Sequence, residues 1–99
     1  MLAINQIKNQ IEPVFVRRGV NKAILFGSYA KNVATEDSDI DLLVDLPKEK
    51  QGFGFFGLRG DLERMIGKQV DLISSCSIVP NSRIDFEIKN SGVLIYEKS

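Results

Sequence analysis

The chain contains no histidine and a single cysteine, and its 13 Lys and Arg residues are matched by 13 Asp and Glu, for a net charge of 0. Without histidine, imidazole-based triads and histidine metal sites are excluded. With Cys76 alone, so are an internal disulfide and a structural zinc cluster. A chain with no disulfide suits a reducing compartment, and a cytoplasmic location is expected. The balanced charge leaves no electrostatic footprint for nucleic acid or an anionic membrane. No apolar run reaches the roughly 18 residues of a membrane span, and the opening MLAINQIKNQ has no signal-peptide core. Any metal held by this sequence must therefore sit on carboxylate oxygen.

What is present is ordinary globular composition, 43% hydrophobic and 26% charged over 99 residues. That bounds the reading to one domain, residues 1–99, with a single modest core. No internal repeat or low-complexity tract interrupts it. Ile4, Ile7, Ile11 and Val14 or Phe15 recur at helical spacing, with Pro13 expected to kink or split the helix and Gly19 to end it. Residues 23–26 form a short apolar strand ending at Gly27-Ser28, and 28–34 one or two helical turns with Ser28 near the N-cap. A second strand runs from Asp39 to Leu46 and stops at Pro47. After a loop at 47–54, a helix is expected over 55–66, closed by Gly67. Gln69 to Ser74 read as a third strand, Pro80 to Lys89 as a last helix with Pro80 in its first turn, and Val93 to Tyr96 as a closing strand.

This alternation predicts an α/β (α+β) domain, a small mixed β-sheet with helices packed on it. Bringing Gly27-Ser28 beside Asp39 favours an antiparallel pairing of the first two strands. Placing Asp71 level with Asp39 and Asp41 favours a parallel pairing of the second and third, with the intervening helix as crossover.

The chemistry concentrates in Gly27-Ser28 followed by Asp39-Ile40-Asp41. Residues two apart on a strand share a face, so Asp39 and Asp41 aim together. Two carboxylates side by side repel each other, a conflict that a cation between them resolves. Oxygen-only ligation of this kind suits Mg²⁺, which completes its shell with water and substrate phosphates. A glycine lets phosphate approach the backbone, and the Ser28 hydroxyl adds a donor. Asp71 offers a third carboxylate, able to ligate metal or accept a proton. The opposing reading leaves Asp39 and Asp41 as solvated acids on an edge strand. Four fixed residue types at this spacing coincide by chance in about one chain in a thousand of this length.

The run GSYAKNVATEDSDIDLLVDL resembles the signature of the DNA polymerase beta-like nucleotidyltransferase superfamily. Its nearest likeness is the minimal nucleotidyltransferase (MNT) branch, the antitoxin half of HEPN–MNT toxin–antitoxin pairs. The later segments GDLERMIGKQVDLIS and RIDFEIKNSGVLIYE are similar to the corresponding parts of that branch, so the resemblance spans roughly residues 20–97. It implies the nucleotidyltransferase fold, nucleotide phosphates held by Gly27 and Ser28, and Mg²⁺, in two ions, on Asp39, Asp41 and Asp71. It further implies ATP as donor, a tyrosine hydroxyl of a cognate HEPN ribonuclease toxin as acceptor, and adenylylation as the means of silencing that toxin. The chain departs from the family's usual Gly-Ser-x-Ala-Arg-Gly at Lys31 and Asn32. Lys31 keeps the charge, and so remains a candidate nucleotide contact, but loses the planar fork of arginine. Asn32 can take a left-handed backbone in place of glycine.

Two other functions stay open on the residues alone: an antitoxin that occludes its partner sterically, and nucleotidyl transfer to a small molecule such as an aminoglycoside. Phe53, Phe55 and Phe56, interleaved with glycines, read either as a lid or docking patch, with self-association as one use, or as helix-face packing. Lys48 and Lys50 read as a solvated loop, Arg59, Arg64 and Lys68 as an exposed helix side, and Cys76 as inert packing.

Overall fold

In the computed structural model, which describes residues 2–98, the first apolar repeat folds as one unbroken helix, α1 (Ile4–Arg18), with Ile7, Ile11, Val14 and Phe15 buried. Pro13 does not split it. Pro13 and Asn9, whose carbonyl loses its intrahelical donor, both lie on the exposed side, where water can substitute. Gly19 ends the helix at φ 70°. Its N–H bonds Val16 O while Val20 N–H reaches back to Phe15 O at 3.0 Å, a Schellman closure with Val20 buried behind it.

Four strands follow the expected order: β1 (Lys22–Phe26), β2 (Ile40–Asp45), β3 (Val70–Ser74) and β4 (Val93–Glu97). They form one mixed sheet in the order β3-β2-β1-β4. β1 is antiparallel to both β2 and β4, and β2 is parallel to β3. The helix α3 (Phe53–Ile66) supplies the crossover between the two parallel strands. β2 alternates strictly, with Ile40, Leu42 and Val44 buried and Asp41, Leu43 and Asp45 half-buried. The buried set packs with Ala23, Leu25, Val70 and Ile95 against the inner faces of α1 and α3, where Leu58 and Leu62 complete the core. Helices therefore cover that face of the sheet, and the acids point to the other.

Three helices begin or are capped differently from the sequence expectations, and Cys76 differs in its exposure. Gly27–Ala30 is a single helical turn, α2, capped at Phe26, so Ser28 lies inside the turn rather than at its cap. α3 begins two residues early, at Phe53, immediately after Gly52 at φ 80°. The last helix, α4, spans Arg83–Ser91 and does not include Pro80. Asn81 stands at φ 64°, a left-handed backbone that no α-helix accommodates. Ser82 takes the cap instead, its hydroxyl accepting the N–H of Asp85. Cys76 is exposed rather than packed, in a 3₁₀ turn at Ser75–Ser77.

The phenylalanines divide. Phe55 packs against the core, whereas Phe53 is 95% and Phe56 67% exposed. The arginines of α3 are also engaged rather than free. Asp61, buried on α3, accepts hydrogen bonds from Arg17 at 3.1 Å, from Arg18 at 2.8 Å and from Arg64. Gly57 makes this possible, since a methyl there would lie about 3.0 Å from the Arg18 guanidinium carbon. The Arg18 hydrogen bond, reinforced by Arg17 and Arg64, holds the Asp61 carboxyl down at about 2 against the opposing cost of burial.

Candidate active site

The site forms where the end of β1 meets the starts of β2 and β3. Phe26 lies opposite Asp41 in the antiparallel pair, and Asp41 opposite Asp71 in the parallel one. Three elements distant in sequence thus deliver Gly27, Asp41 and Asp71 to one end of the sheet. Asp39 stands one residue ahead of β2, half-buried. Asp41 is half-buried and Asp71 exposed.

Gly27 is required by two independent features of its position. Its φ of 75° is one that residues with a Cβ rarely adopt, and a methyl there would fall on the Asp41 carboxylate, 3.0 Å from its Cγ. The bare backbone at Gly27 is therefore what lets the acid lie against the β1–α2 turn. Ser28 follows, half-buried in α2.

The electrostatics register the crowding. Burial pushes the Asp41 carboxyl up to about 6, and the adjacent Asp71 carboxylate, Asp39 and Glu87 add to it. Groups of like charge held together raise the proton affinity of the most enclosed member, and a divalent cation would reverse that effect. The donor set is entirely carboxylate oxygen, which fits a hard cation such as Mg²⁺. Among the described residues, no three His, Cys, Asp or Glu side chains converge closely enough to enclose an ion as they stand. The part of the set brought together is the Asp41–Asp71 pair.

Lys31 is present at the C-terminal end of α2, but its Nζ donates to Glu87 Oε1 at 2.8 Å, tying α2 to α4. Glu87 is the site residue that the sequence reading missed. It lies on a helix remote from the signature, and only the packing of α4 over β1 brings it toward Asp41. Asn32 adopts φ 60°, the left-handed conformation expected of it. Arg59 and Lys68 take structural roles, donating to Val70 O and Glu36 O respectively. The Tyr29 hydroxyl is buried without a hydrogen-bond partner among the described residues.

The fold is that of a nucleotidyltransferase. Residues 9–99 match the family described as Polymerase beta, Nucleotidyltransferase, and the chain belongs to it. A Methanocaldococcus jannaschii relative, provisionally named a protein adenylyltransferase, is 43% identical over 77 residues, covering 78% of this chain and 83% of the relative. A solved structure provisionally described as a minimal nucleotidyltransferase superposes with a TM-score of 0.77 at 27% identity, covering 93% of this chain and 95% of that one. The same fold recurs, at 18% identity and a TM-score of 0.71, in a complex of a tri-AMPylated Shewanella oneidensis HEPN toxin with an MNT antitoxin. That match covers 96% of this chain and 73% of the solved one.

Proposed function

We propose that this chain is an Mg²⁺-dependent protein adenylyltransferase that moves AMP from ATP to a tyrosine hydroxyl of a cognate HEPN-type toxin and thereby acts as its antitoxin. The observation that carries this reading is the placing of Asp41 opposite Asp71 on one sheet face, with Gly27 backbone bare beside them. The naming of the Methanocaldococcus jannaschii relative, and the toxin–antitoxin complex in which the fold recurs, support the protein acceptor.

In this mechanism the backbone at Gly27 and the Ser28 hydroxyl receive the triphosphate, and Lys31 offers it a cation by exchanging its Glu87 partner for phosphate oxygen. Asp39, Asp41 and Asp71 are the residues that would hold Mg²⁺, which supplies charge neutralisation on the phosphates and a more electrophilic α-phosphorus. The acceptor oxygen forms a bond to the α-phosphorus as the bond to the pyrophosphate oxygen breaks. Pyrophosphate departs with the bonding electrons, and Asp71, the most exposed of the three acids, takes the proton from the acceptor hydroxyl. The rigid sheet contributes orientation, the chief resource of such reactions.

The test is transfer of label from ATP radiolabelled at the α-phosphate to a purified HEPN-type partner, with and without Mg²⁺. Label is expected on the partner with the native chain and not with the Asp39→Ala/Asp41→Ala protein. A tight complex without label would replace this reading with steric neutralisation, and label on small hydroxyl acceptors alone would replace it with small-molecule modification.

A further inference from the structure

One face of the sheet is covered by α1 and α3. On the other, where α4 overlies β1 at the acid end and Gly92 just beyond it lies against Ile24, four apolar side chains stand in line across all four strands. Leu43 lies opposite Ile73 on one side and Ile24 on the other, and Ile24 lies opposite Leu94. None of the four is buried, and Leu94 is 49% exposed. Between Ile24 and Leu43 the face dips into a cavity of about 340 Å³ whose rim is Lys22, Asp45 and Ser75. We propose that this row is the docking surface for the acceptor, and that its occupant is an amphipathic helix of the acceptor protein laid across the strands. The proposal rests on the protein-acceptor reading above and adds where, and in what form, that acceptor binds.

Continuity with the active site is the first argument. Leu43 and Ile73 are the next residues on the same face after Asp41 and Asp71, a step of about 7 Å along the strands. A partner seated on the row therefore has the acid pair at its flank. That gap is one a phenolic side chain spans and a serine does not, which favours tyrosine as the modified residue.

The spacing selects the helix. Neighbouring strands lie about 4.8 Å apart, so the row repeats at that interval. Side chains at i, i+3/i+4 and i+7 on a helix recur about every 5 Å along its axis. An extended peptide presents one face only every 6.6–6.8 Å or so, and falls out of step across four strands. A polycationic sugar offers only short C–H faces and no continuous apolar stripe to match four strands. Charge narrows the partner further, because Asp41 and Asp71 flank one long side of the row, and Asp45 and Glu97 flank the other with Lys22 between them. The matching helix is apolar along one stripe and basic at its margins.

The experiment substitutes Leu43→Lys and, separately, Leu94→Lys, with Val16→Lys, an exposed position on α1 away from the row, as control. Each protein is assayed for label transfer at increasing concentrations of the protein acceptor that the native chain labels, and for binding of a fluorescent ATP analogue. The acceptor concentration for half-maximal transfer is expected to rise about tenfold or more in both row variants, as for loss of an interface anchor. Analogue binding should stay within about twofold of native, and the control should match native in both assays. Native-like acceptor dependence in both row variants would overturn the docking surface while leaving the protein-acceptor reading intact. If the native chain labels small hydroxyl compounds and no protein, that reading falls and the docking surface with it. Should Leu43→Lys also lose analogue binding, Leu94→Lys decides, because its side chain is already half in water and its substitution leaves the fold undisturbed.

Discussion

The space beside the Gly27 backbone is filled by the carboxylate of Asp41, so that the conformation of one residue and the placement of the other are a single geometric fact. Replacing Gly27 by alanine therefore acts twice. The left-handed backbone costs about 1–2 kcal/mol for a residue with a Cβ, and the methyl must also displace the acid. Gly27→Ala is expected to lower the melting temperature and to abolish ATP-analogue binding. Retention of native binding would show that the acid does not need this seat.

The raised Asp41 carboxyl gives the metal-free protein a distinctive pH dependence. A carboxyl at about 6 when folded and 3.8 when unfolded binds more protons in the native state between those values. Its contribution to stability is then fullest below pH 4 and is lost as pH rises through 6. Denaturant unfolding in EDTA across this window should show stability falling with pH, and Asp41→Asn should remove the slope. Added Mg²⁺ should stabilise the protein more at pH 7, where the acids are ionised, than at pH 5. Equal stabilisation at both would count against ligation by these carboxylates.

Asp61 titrates with the opposite sign. Its carboxyl, held at about 2 by three guanidinium groups, favours the folded state above the ordinary carboxyl range, and that support is lost as pH falls through 2. Acid unfolding followed by circular dichroism should begin at higher pH in Asp61→Asn than in the native chain. Arg17→Ala should cost less than Asp61→Ala, because Arg17 is 64% exposed and can rehydrate, whereas losing the acid leaves three cations facing one another. Gly57→Ala, by crowding the Arg18 guanidinium, should resemble a milder Asp61 variant.

The two sides of α3 should behave very differently. Leu58 is fully buried, and Leu58→Ala is expected to cost about 2–5 kcal/mol in denaturant unfolding. Phe53, at 95% exposed, should tolerate serine within about 0.5 kcal/mol. A large loss at Phe53 would mean that the aromatic is structural after all.

How much of this was legible beforehand follows the range of the interactions. Strand identity, the antiparallel and parallel pairings, and the gathering of Gly27, Asp41 and Asp71 came from local pattern plus the demand that one site be formed. The start of α4 did not, because Pro80 resembles a helix opener and only the positive φ of Asn81 delays the helix to Arg83. Pro13 misled for the reverse reason, since its exposure on α1 makes the missing hydrogen bond cheap. Asp61 and Glu87 were invisible because each gains its role from side chains far away in sequence, Arg17 and Arg18 for one, Lys31 and Asp41 for the other. Lys31 itself was read as a nucleotide contact, and its partner Glu87 could be found only once α2 and α4 were set side by side.

The order of strands in the sheet also has a kinetic consequence. β1, which leads into the Gly27 turn of the candidate site, lies between β2 and β4, so the strand made first acquires one neighbour promptly and the other last. Contacts of long sequence separation are slow to close. During synthesis the β1–β2 hairpin and the α3 crossover can assemble while β1 still presents an unpaired edge awaiting Val93–Glu97. A growing chain therefore has its acids and its glycine turn in hand before the sheet around them is finished, and its exposed edge is the point at which misassembly would begin.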